Sequence, residues 1–284
     1  MSATLRVLER TTHVAPLGIR FWDEVSARVV FDGLVVEAYA DGEPERRVAA
    51  VPNRLGVFVL GSLPGSKDPA FELGSGDDAL WSQLQTRAFV LEVSDRNGHF
   101  QPFTVEQPLP AKGVTVPPCL AASSAMAVPL FSTPARPAPE ATAVVRANLF
   151  FAPAGGDPVP AAWAVLEVHV TGQPPARGVA DRDGRVAVIF AYPEPVASAA
   201  PPLSPPETSG PSLWNQEWTV RLAAFYAPAT PAPVIPDLCR TLDQPAAMLW
   251  TDARGTRQLP DQSLRYGREL IVRDVYVTLV GSPP

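Results

Sequence analysis

The sequence predicts an all-β protein of two Ig-like β-sandwich domains joined by a Pro-rich extended connector. Three observations carry this. Apolar residues recur with period two over short runs, turn signals separate the runs at sandwich-like spacing, and the composition disfavours helix. With 34 Pro and 19 Gly in 284 residues, long helices would be interrupted repeatedly, because proline removes a backbone donor and clashes with the preceding turn. The length gives two domains of ordinary size. The expected boundaries are 1–110 for the first sandwich, 111–139 for the connector and 140–284 for the second sandwich, which carries a Pro-rich insertion at 193–213.

In the first half, residues 27–40 (ARVVFDGLVVEAYA) alternate on both sides of Asp32-Gly33, a dipeptide suited to a type I′ hairpin turn because glycine accepts positive φ. Further strands are expected at 46–51, 55–60, 88–94 and 99–106, the last pair turning through Asp95–Gly98. One helix is expected at 76–86, with Asp77 or Asp78 as its cap and Leu80, Trp81 and Leu84 on one face. Little alternation survives between Gln107 and Glu140, where prolines favour an extended, polyproline-like path. Val114, Val116, Leu120, Met126, Val128, Leu130 and Phe131 make this stretch apolar for a free linker. The reading is therefore an ordered, contact-rich connector. In the second half, strands are expected at 143–151, 163–170, 176–181, 184–192, 216–226, 246–251 and 269–280. Low complexity marks 193–213 as an exposed arm.

An internal echo runs through both halves. Val93–Phe100 (VSDRNGHF) matches Val179–Val186 (VADRDGRV), and Trp250–Gly255 (WTDARG) is a weaker third copy. Each reads as a strand, an Asp-initiated turn with Gly at positive φ, and a second strand. Recurrent turn chemistry explains the echo as well as domain duplication does.

The chemistry expected of an enzyme is not visible. His13, His99 and His169 are the only histidines, and none pairs at the spacing a metal site needs. Neither a nucleophile elbow, a P-loop nor a dinucleotide fingerprint occurs. Asp23-Glu24 and Asp77-Asp78 are adjacent acids whose plain reading is a solvated face. The sequence therefore predicts a non-enzyme with no catalytic residues, cofactor or metal. Cys119 and Cys239 are too few for a disulfide framework, and their Pro-flanked settings read as free thiols. A net charge of −6 argues against nucleic acid as a partner. No run reaches the length of a membrane span, and the first residues lack an apolar signal core, so synthesis and folding in the cytoplasm are expected.

Two resemblances add to this reading. Val35–Tyr39 followed by Asn53–Gly65 (NRLGVFVLGSLPG) resembles the carboxypeptidase-regulatory-like, transthyretin-like β-sandwich, in which an apolar strand leads to an Asp-x-x-Gly-x-Phe hairpin and a Leu-Pro-Pro-Gly corner. Here Asn53 stands in place of Asp, and one Pro is missing. Ala164–Val170 with Gly178–Val186 repeats the pattern, with Val186 in place of Phe. Over roughly residues 20–195, the runs Leu91–Phe103, Pro129–Ser132, Ala161–Val168 and Ala176–Pro195 are similar to proteins encoded beside sheath and tube genes of phage-tail-like contractile injection systems. That resemblance implies a structural or adaptor subunit of such a particle, associated with its baseplate. Its partners would be protein subunits of a large assembly, with homo-oligomerisation open and release in an extracellular particle. The candidate partner contacts are Trp214, Trp218, Phe131 and Leu130. The alternative is a stand-alone adhesion or glycan-binding module using Trp214 and Trp218.

Overall fold

The computed structural model describes residues 15–63, 85–120, 126–153, 156–195 and 213–279. The helix expected at 76–86 and the arm at 193–213 fall almost wholly outside them. The protein is all-β. Among the described residues, eighteen strands run in chain order, and the one α-helix, α1 (Leu238–Leu242), is a single short turn capped by the Asp237 carboxylate on the Arg240 N–H.

The chain divides into two compact units. The first holds Met1–Trp22, Val29–Val93 and Thr104–Val128, and the second holds Asp23–Arg28, Ser94–Phe103 and Pro129–Pro284. The boundary between Val128 and Pro129 falls within the Pro-rich stretch 111–139.

The first unit is built from two sheets. One orders β2 (Arg28–Val30), β1 (Leu17–Asp23), β6 (Val57–Leu60) and β5 (Val51–Pro52), and the other orders β4 (Val48–Ala49), β3 (Leu34–Ala40), β7 (Arg87–Asp95) and β8 (Phe103–Leu109). Strict alternation decides which side chains are buried: in β3, Leu34, Val36, Ala38 and Ala40 point inward while Val35, Glu37 and Tyr39 are half-buried. The period-two pattern follows from the pleat, which sends successive side chains to opposite faces. Phe21 and Phe58 meet edge to face at 5.4 Å within the first sheet.

The Asp32-Gly33 turn corrects a sequence expectation. Gly33 does have positive φ (81°), but Asp32 does not, and β2 and β3 belong to different sheets. The turn is a corner that carries the chain from one sheet to the other, not a hairpin. Alternation on both sides of a turn specifies two strands but leaves their partners open. A second corner at buried Ala50 links β4 to β5, again across the two sheets.

The second unit is one continuous hydrogen-bonded sheet. Its path runs from β10 (Thr142–Phe151) through β18 (Leu270–Leu279), β16 (Ala246–Trp250), β15 (Glu217–Phe225) and β12 (Val165–Val170) to β13 (Ala176–Val179). The far edge of β10 is shared by β14 (Arg185–Ala191) and β11 (Val159–Pro160). β15 likewise divides one edge between β16 and β17 (Gln262–Arg265). β10 and β18 run parallel, with a bulge that places Asp274 at φ 48°. The two ends of the sheet approach each other, for a Cβ on Gly178 of β13 would lie 2.7 Å from the Ala187 carbonyl of β14. The sheet therefore curls over a shared core that includes Val145, Leu149, Leu166, Val188, Trp218, Val220, Leu264 and Val277.

Candidate functional site

The echoed turns share one geometry. In Asn53–Gly56, Asp95–Gly98, Asp181–Gly184 and Asp252–Gly255, the glycine N–H donates to the carbonyl of the first residue and the glycine has φ between 63° and 76°. The first residue's side-chain oxygens accept the N–H groups two and four positions on: Leu55 and Val57, Asn97 and His99, Asp183 and Arg185, Arg254 and Thr256. These carboxylates and the one amide saturate their own backbone, which is what Asp and Asn do in turns. At Asp252 the Thr256 N–H, with those of Arg257 and Arg254, holds the carboxyl below its ordinary 3.8. The three Asp turns are loop closures, not metal ligands, and no cluster of His, Cys, Asp and Glu among the described residues could hold a metal.

Asp23 is the most deeply buried carboxylate among the described residues, at 2% exposure, and it lies against Arg136 at 8%. The guanidinium donates from Nη1 and Nη2 to the two carboxylate oxygens at 3.0 and 2.6 Å. Ser26 Oγ and the Val25 N–H complete the carboxylate's shell. Arg136 also donates to Ser132 Oγ at 3.0 Å, and its charge lies over the Phe100 ring at 4.7 Å. Burial by itself would raise the Asp23 carboxyl. The hydrogen bonds from Arg136 and Ser26 and the arginine's charge outweigh it and hold the group below 3.8. Two opposite charges cross-linked by charge-assisted hydrogen bonds in this way act as a brace.

A cleft of about 490 Å3 next to this brace is lined by Gly98, Gln101, Thr133, Arg146, Asp181 and Arg185. Its charges are already engaged. Arg146 forks onto Glu269 and bonds the Pro134 and Arg136 carbonyls, while Arg185 bonds Asp181 and Asp183. In a second cleft of about 390 Å3, His169 lies beside Arg221 and Asp261. Its Nε2 is 3.1 Å from Glu167, whose other oxygen accepts from Arg177 at 2.6 Å. His99 is exposed, and Asp23-Glu24 is no acid pair for catalysis because Asp23 is consumed in the brace. His13 and Asp77-Asp78 lie outside the described residues.

The nominated partner contacts separate sharply. Leu130 and Phe131 are buried, and the Phe131 carbonyl accepts the Gln101 N–H. Trp218 is core at 7% exposure, and its indole N–H reaches the Glu194 carbonyl at 3.4 Å. Period-two placement opposite Leu264 put it on the inward face. Only Trp214 presents surface, at 74% exposure. The cysteines also depart from expectation. Cys119 and Cys239 are disulfide-bonded, so neither is a free thiol. Flanking sequence carries no information about whether a cysteine is bonded.

No protein-family model matches the chain, and no curated protein matches it. Among solved structures, the TIE protein of Bacillus anthracis is similar with a TM-score of 0.26 and 9% identity over 92% of this chain, which spans 33% of that protein's length. GBS52, the minor pilin of Streptococcus agalactiae, is similar with a TM-score of 0.24 and 8% identity, over 94% of this chain and 98% of its own. With TM-scores and identities this low, neither likeness assigns a fold family or a function.

Proposed function

We propose that this chain is a non-catalytic structural subunit of a large protein assembly. The observation that carries the reading is where the charge goes. Among the described residues, the buried charged groups Asp23, Arg136 and Glu167 are bound to partners that cross-link loops and strands. A catalytic acid or base needs a proton-accepting site left open to substrate, and these are closed. The resemblance over residues 20–195 supports a contractile, phage-tail-like particle as the assembly, with the subunit near its baseplate. The disulfide-bonded cysteines support work outside the reducing cytoplasm, as a released particle requires. Negative-stain microscopy and mass spectrometry of particles purified from the native source test this. The chain is expected at a fixed ratio to the sheath and tube proteins, and its absence from intact particles would overturn the assignment.

A further inference from the structure

Trp214 stands at the end of a ladder of aromatic rings in the second unit. Buried Trp218 packs on Tyr192 (5.5 Å between centroids), Tyr192 on Tyr266 (4.7 Å), and Tyr266 meets Trp214 edge to face at 5.7 Å. The exposed indole is seated, not dangling. Gly267 has φ +70°, and a Cβ there would lie 2.8 Å from Cζ3 of the Trp214 ring, so the glycine makes room for it. The Gly267 N–H donates to the Tyr192 hydroxyl at 2.9 Å, which fixes that phenol and leaves its own proton to donate.

We infer that Trp214, with Tyr266 and Tyr192 behind it, is a saccharide-binding subsite that takes the CH face of a neutral pyranose. An indole held in place with most of its surface open has already lost the freedom that binding would otherwise cost. The surroundings select the occupant. A protein hot spot sits inside a desolvated apolar patch, whereas the residues beside Trp214, Trp218 and Tyr266 in the chain include the exposed hydrogen-bonding groups Asn215, Glu217, Arg265 and Arg268, with Leu213 and, next to Tyr192, Ala191 as exposed apolar neighbours. An apolar ring face among donors and acceptors matches a sugar, which has an apolar face and a rim of hydroxyls. The site extends beyond the structural role above and does not depend on it.

The test is calorimetric titration of the full chain with cellotetraose, maltotetraose and chitotetraose, each checked by NMR. At least one is expected to bind saturably in the millimolar range or tighter. Trp214→Ala should weaken that binding by about tenfold or more and Trp214→Phe by less, since stacking survives in the smaller ring. Unchanged melting temperatures will show that both variants fold. Failure of all three sugars to bind would overturn the inference, as would equal binding by Trp214→Ala. So would a proline-rich peptide that bound at Trp214 where the sugars did not.

Discussion

At the scale of single residues, the Asp23–Arg136 pair makes the sharpest demand on stability. Removing one member leaves the other charge buried without its partner, which costs about 3–5 kcal/mol. Arg136→Met is therefore expected to lower unfolding free energy by that amount at neutral pH, read by urea denaturation. The pair also sets an acid response. Because the folded carboxyl titrates below its unfolded 3.8, its contribution is complete well above that value. It drains away as the pH falls through the depressed one. Asp23→Asn should be less stable than the natural chain at pH 7, yet lose less of its remaining stability between pH 5 and 2. Equal acid sensitivity in the two proteins would contradict the depressed carboxyl. Little of this was legible beforehand. The sequence displays Asp23 beside Glu24, whereas its partner lies 113 residues away, and spacing along a chain does not encode a contact formed only by tertiary folding.

At the scale of elements, the turns were the most legible part. The first residue and the glycine of each Asx turn stand three positions apart, so local chemistry alone specifies them, and three of the four were visible as an echo. What the echo hides is that the four glycines are not equivalent. Gly98 has φ +69°, and a methyl added there would meet nothing within 4 Å, whereas at Gly184, with φ +76°, the same methyl would lie 2.3 Å from the Leu149 carbonyl. Gly98→Ala should therefore cost about 1 kcal/mol, the backbone penalty for alanine in a left-handed conformation. Gly184→Ala adds a collision with the backbone of β10, whose Leu149 N–H is also bonded to the Gly184 carbonyl, and should cost about 3 kcal/mol or more. Paired thermal melts of the two variants check this, and equal losses would mean that the turns are interchangeable. Pairing between strands was less legible than the strands themselves. β1, β9 (Val128–Leu130) and β17 lie where Gly, Pro or short length breaks the alternation, and the partners of β2 and β3 depend on sheets whose edges are set far along the chain.

At the scale of the whole molecule, composition and periodicity were enough for the all-β class, since both report on backbone geometry averaged over many residues. Where extended chain packs is less legible, because proline content marks it whether or not it is packed. Leu130 and Phe131 lie in that Pro-rich stretch and are buried. The cysteines are the other feature that only the folded chain reveals. A disulfide restricts the unfolded ensemble, a stabilisation of about 2–4 kcal/mol in the chain-entropy model. Thiol counting on the denatured, unreduced protein should find none free, and two after reduction. Reduction should then lower the urea midpoint, and Cys119→Ser with Cys239→Ser should reproduce the reduced protein's stability without added reductant. Two titratable thiols in the protein purified without reductant would remove both the bond and the support it lends to a role outside the cytoplasm.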